Sequence, residues 1–151
     1  MSVAEKLAKM GLQLPQPSPL GSYVGAVRSG DLVFVSGGGP MRPDGSFITG
    51  KVGGGIEIDA AQEAASLCVL YCLANLQKEI GDLENVTRIV KVLGFVNSAP
   101  GFVQQHVVMN GASDLLVSLF GERGRHARSS VGMAELPMNI VVEVELIAEV
   151  V

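Results

Sequence analysis

Arg123, Arg125, His126 and Arg128 crowd into one short stretch, "RGRHAR", of a chain that carries eleven Lys plus Arg against fifteen Asp plus Glu. A guanidinium offers five donors in a rigid planar fork that matches a carboxylate. Arg128 sits inside a strand-like segment between Ala127 and Ser129, so its base is rigid. Arg123 and Arg125 lie in a Gly-punctuated loop and read as solvated charges. Arg128 is therefore the candidate for holding a small carboxylate, and the ordinary alternative is an ion pair with a strand glutamate. The final segment, "NIVVEVELIAEV", supplies those glutamates. Its alternation puts Ile140, Val142, Val144, Leu146 and Ala148 on one face, and Glu143, Glu145 and Glu149 with Val141 and Ile147 on the other. Glu143 and Glu145 would stand about 7 Å apart. The apolar company suggests a partly covered face, where paired carboxylates have raised pKa values and can pass protons near neutrality.

Asn110-Gly111 falls in the middle of a predicted helix, a poor place for both residues, which suggests either that the Asn110 amide is wanted or that a polar face is tolerated. His106 on the same helix reads as a packed or surface side chain. No Ser/His/Asp or Cys/His nucleophile pattern occurs. Cys68 and Cys72, four apart on a helix, read as small buried hydrophobes rather than a disulfide or metal pair. "GSFITGKV", Gly45 to Val52, nearly spells a phosphate-binding loop. Its last position, however, lacks the hydroxyl, and Gly53 to Gly55 follow where a helix should start.

These residues need a scaffold. The 151 residues suit one domain, 48% hydrophobic and 17% charged, and that apolar excess predicts association with copies of itself. A net charge of −4 disfavours nucleic acid. No apolar run is long enough for a membrane span, and no secretion signal is recognisable, so a cytoplasmic location is expected. Ser2 and Glu5 form a capping box for a helix over residues 2–10 that Gly11 ends, followed by an extended "LPQPSPLG". Strands over 23–29 and 32–36 flank "RSGD" as a hairpin. Gly37 to Gly55, with eight glycines and two prolines, reads as a long loop. Asp59 is the expected cap of a helix from Ala60 to Ile80, with Gln62 completing a capping box and Gly81 stopping it. A strand follows over Thr87 to Asn97. A second helix runs from Ser98 and Pro100 to Phe120, and the last strands cover His126 to Met133 and Asn139 to Val150. The order β-β-α-β-α-β-β predicts an α+β domain: a single mixed sheet with two helices on one face.

"ARS", then "LP" six residues later and "VEVELIA" resemble the C-terminal signature of the RidA (YjgF) family of reactive-intermediate (enamine/imine) deaminases. "GSYVGAV", "VFVSG" and "GDLENVTRIVKVLGFVN" extend the resemblance from about Pro19 to Val150. It implies a chorismate-mutase-like homotrimer with its site in a cleft between subunits. Residues 1–18 would be an N-terminal lead and 19–151 the domain. It also implies hydrolysis of small 2-imino or 2-enamino acids to 2-keto acid and ammonia, without metal or organic cofactor. Arg128 would bind the substrate carboxylate and Glu143 would position the attacking water. Tyr23, Ser36, Gly37, Asn110 and Ser130 would line the pocket, Ser130 standing where many members have cysteine. "SGGGP" replaces the family's "SGQ", and His126 replaces a proline. The alternative is a non-catalytic trimer that binds small carboxylates or 2-keto acids through the same arginine.

Overall fold

The computed structural model describes all 151 residues. The α+β fold read from the sequence is the observed one: a five-stranded mixed sheet in the order β1-β2-β7-β5-β6, with helices over one face. The strands are β1 (Ala26–Ser29), β2 (Leu32–Gly38), β5 (Val86–Asn97), β6 (Ala127–Met133) and β7 (Val142–Val150). Only β5 and β6 run parallel; the other neighbours are antiparallel. A parallel pair needs a crossover, and α3 (Gln105–Val108) and α4 (Asn110–Phe120) supply it. Gly30, at φ +61°, opens the two-residue turn between β1 and β2, as such hairpins require.

The long helix α2 (Ile58–Ile80) is the centre of the core. Ala61, Ala64, Ala65, Cys68, Cys72 and Leu76 are fully buried on it, and the small residues bring backbone close to backbone. Facing them, β7 contributes Val142, Val144, Leu146 and Ala148. Both cysteines are free; their thiols donate to the Val142 and Val144 carbonyls, and burial pushes the Cys72 thiol up to about 12. Helix α1 (Val3–Lys9) carries the expected capping box and buries Val3 and Leu7 in the same core.

Several local expectations are corrected. The N-cap of α2 is Glu57, without a side-chain bond, and Asp59 lies in the first turn. Gln62 instead donates to the Val107 carbonyl, tying α2 to α3. The second helix starts at Gln105 rather than Ser98 and is interrupted at Met109, so Asn110 opens α4 instead of sitting mid-helix. Gly111 has its own reason: a Cβ there would meet the Gln62 carbonyl oxygen of α2 at 2.1 Å. The last strand begins at Val142, because Pro137–Asn139 form a short 3-10 turn; Ile140 and Val141 precede the strand and are both buried. The glycine-rich segment is not all loop. Gly37 and Gly38 belong to β2, and β3 (Lys51–Val52) pairs with β4 (Gly55–Ile56). Lys51 donates to Asn97 Oδ1 and Val52 is fully buried, so "GSFITGKV" has no phosphate-binding geometry.

Candidate active site

Strand β6 forms one edge of the sheet. Arg128 lies beside Val92 of β5, on the face that α3 and α4 cover. Its Nη1 donates to Asn110 Oδ1 and Ser113 Oγ, both at 3.0 Å, and its Nη2 to the His106 carbonyl at 3.1 Å. Asn110 and Ser113 are three apart on α4 and share a face. Behind them, His126 Nδ1 is 2.6 Å from the Gly124 carbonyl, and its Nε2 is 2.9 Å from Ser113 Oγ. A carbonyl only accepts, so these bonds assign the proton to Nδ1 and leave Nε2 to accept from the Ser113 hydroxyl. A lone pair of Ser113 then faces Arg128. Burial holds the His126 pKa below its ordinary value; the Gly124 bond opposes this and the Arg128 charge adds to it.

Three of the five guanidinium N–H groups of Arg128 are thus engaged, all by neutral acceptors. The Nε–H and one Nη2–H remain, and the ion pair with a strand glutamate is not formed. Ser130, two residues on and on the same face, has a buried hydroxyl without a partner. The other arginines behave differently. Arg125 is exposed and pairs with Glu122 at 3.0 Å, as expected of a solvated charge. Arg123, read as solvated too, instead donates to the Val86 carbonyl at 2.7 Å, pairs with Glu84 and covers the Phe120 ring.

Glu143 belongs to the opposite face of the sheet. The registers pair it with Phe95 and pair Glu145 with Leu93. Burial, and then the Glu145 charge, raise the Glu143 pKa above its ordinary value. The carboxyl lies against the backbone of Gly37, where a Cβ would stand 2.9 Å from its Cδ. Tyr23 and Gly37 line the same cavity as Glu143. Ser36 reaches this region indirectly: its hydroxyl donates to the Val24 carbonyl at 2.6 Å and so fixes the segment that carries Tyr23.

The sequence-derived residues therefore fall into two groups. Arg128, Asn110 and Ser130 gather on the helix side of β6; Tyr23, Ser36, Gly37 and Glu143 gather at the β2–β7 end. Within one chain the sheet separates Arg128 from Glu143. Sequence reasoning missed Ser113 and the His106 carbonyl at the first group, and Phe47, Tyr71 and Met138 at the second. The i, i+3 spacing from Asn110 could have found Ser113. Nothing local could have found Tyr71, which reaches the cavity from α2.

The family described as Endoribonuclease L-PSP matches residues 14–150. Protein TCP17 of Trypanosoma cruzi is 44% identical over 149 residues, 97% of this chain and 93% of that protein. The crystal structure of Atu1372 from Agrobacterium tumefaciens, of unknown function, is 43% identical with a TM-score of 0.91, covering 98% of this chain and 91% of that one. Escherichia coli TdcF, solved with bound serine, is 25% identical with a TM-score of 0.60, covering 88% and 91% respectively.

Proposed function

The chain belongs to the Endoribonuclease L-PSP (YjgF/RidA) family, and from that premise we propose that it is a hydrolytic deaminase of small 2-imino or 2-enamino acids. Its active site would be closed by two copies of the chain, Arg128 coming from one and Glu143 from the next. The observation that carries the reading is the free edge of Arg128. A guanidinium held by neutral acceptors keeps its charge, and two N–H groups remain for a carboxylate. The separation of Arg128 from Glu143 by the sheet supports a site shared between subunits. So does the uncovered sheet face, where Val27, Phe34, Val131 and Met133 are 36–54% exposed. We assign a homotrimer.

In this reading Arg128 forks onto the substrate carboxylate and fixes the imine carbon. Water held by Glu143 and by the Gly37 backbone attacks that carbon. Glu143, with its raised pKa, takes one proton from the water and passes it to the nitrogen, giving a carbinolamine, and then moves the second proton from the new hydroxyl to the nitrogen. The C–N bond breaks, ammonia leaves and the 2-keto acid remains. The imine is already electrophilic, so orientation and proton transfer suffice. The serine bound by TdcF carries the same carboxylate head group. RNA cleavage, which the family name suggests, is disfavoured by the −4 charge and by the pairing of Arg123 and Arg125 with carboxylates. The test is ammonia release from freshly generated 2-iminopropanoate. Release above the buffer rate, strongly reduced in Arg128→Ala, is expected; no release by the folded wild-type protein would leave a carboxylate-binding trimer in its place.

A further inference from the structure

Gly37, Gly38 and Gly39 follow one another where β2 ends, and each is backed by a different side chain. A Cβ would stand 2.9 Å from Glu143 at Gly37, 2.9 Å from Tyr71 at Gly38 and 2.9 Å from Phe47 at Gly39. Glu143 approaches from the open face of the sheet and Tyr71 from the helix layer. The glycine run is thus the gap through which the two sides meet. The result is a cavity of about 230 Å³ with Glu143 as its only charged lining residue. Phe47 and Tyr71 pack as a tilted pair, ring centroids 6.3 Å apart. Ile140 and Pro137 extend the apolar lining, and Met138 stands at the exposed mouth.

The mouth is fixed. Met138 and Asn139 both adopt left-handed backbone, φ 56° and 58°, which residues with side chains disfavour. Fully buried Asn97 donates to Asn139 Oδ1 and to the Ile140 carbonyl, and the Gly50 amide donates to the Asn139 carbonyl. These bonds hold Met138 over the cavity. A cavity of roughly 150 Å³ already accommodates benzene, so this one has room for a side chain of that size beside a polar head group.

We propose that this cavity receives the apolar side chain of the ligand, so that the protein selects 2-imino and 2-keto acids with aromatic or long branched side chains over three-carbon ones. The proposal rests on the deaminase reading for the head group, which the partner's Arg128 would hold while the reacting carbon lies at Glu143. The side-chain preference comes from the glycine run and the walls it admits.

Calorimetric titration of the full chain with pyruvate and with phenylpyruvate tests it, alongside ammonia release from the corresponding imines. Phenylpyruvate should bind at least about tenfold more tightly than pyruvate. Gly39→Val, which drives Phe47 into the cavity, should narrow that ratio. Met138→Gln, an exposed change at the mouth, should narrow it less and leaves the core untouched. Equal affinities in the wild-type protein, binding of neither acid, or a ratio unmoved by both variants would overturn the proposal. Ammonia release decides the other question separately. Tight phenylpyruvate binding without turnover keeps the pocket and removes the deaminase. Turnover without side-chain preference does the reverse.

Discussion

At the β6 edge, Arg128 is held by an amide, a hydroxyl and a carbonyl of its own chain, and its surroundings stay polar. At the β2–β7 end, Glu143 lies among glycines and aromatic rings, with burial and a second carboxylate as the causes of its raised pKa. The first environment fixes a charge in place and in sign, because a guanidinium does not titrate and neutral acceptors do not cancel it. The second makes a charge easy to change, because desolvation and a like neighbour favour the neutral acid. Recognition of an anion needs the former and proton transfer needs the latter. Within one chain the sheet separates the two.

Removing the titratable group should have the largest effect. Glu143→Gln should lower kcat by about 100- to 10,000-fold, the range of general acid–base catalysis, with much smaller loss of 2-keto acid affinity. Equal losses in both would make Glu143 a pocket wall. Arg128→Ala comes next, at about 30- to 1000-fold in kcat/KM, for the loss of a charge-assisted fork worth about 2–4 kcal/mol. Arg128→Lys should recover only part of that, since a point charge cannot fork. Steady-state kinetics on one imine covers all three variants.

Two glycine substitutions separate the regions by stability instead. Gly111→Ala pushes a Cβ into α2 backbone, which cannot yield, and should cost about 1–3 kcal/mol in denaturant unfolding. Gly37→Ala meets the Glu143 side chain first, which can move, so it should reduce turnover while leaving the unfolding midpoint nearly unchanged. The smallest effect is expected from Glu145→Gln. Its charge holds the Glu143 pKa up, so its removal lets Glu143 ionise at lower pH. The acid limb of the pH–rate profile should therefore move towards acid, and movement towards base would reverse the assigned coupling.

Features settled within a few residues were legible in the sequence. The Ser2–Glu5 capping box, the hairpin at Gly30 and the stop at Gly81 each depend on local chemistry, and the alternation in β7 reports its buried face directly. Features settled by distant partners were not. Gly111 is explained by a carbonyl of α2, Arg123 by the Val86 carbonyl, and Gln62 by Val107, none of them near in sequence. Arg128 stood out as a charge inside a strand, but its face depends on the registers that tie β6 to β5 and β5 to β7. Only those registers place Arg128 and Glu143 on opposite sides. Likewise "SGGGP" is visible as a departure from the family pattern, while its three backing side chains come from β7, α2 and the loop at Phe47.

A site shared between copies is tested most directly by mixing. Arg128→Ala and Glu143→Gln chains, each folded, inactive and of the same oligomeric mass, are unfolded together in equal amounts and refolded. If each site takes Arg128 from one copy and Glu143 from its neighbour in a closed ring, random assembly restores about a quarter of the wild-type sites. Ammonia release from 2-iminopropanoate should therefore return to about a quarter of the wild-type rate. If both residues act within one chain, no mixed oligomer contains an intact site. A mixture as inactive as its parents would contradict the account.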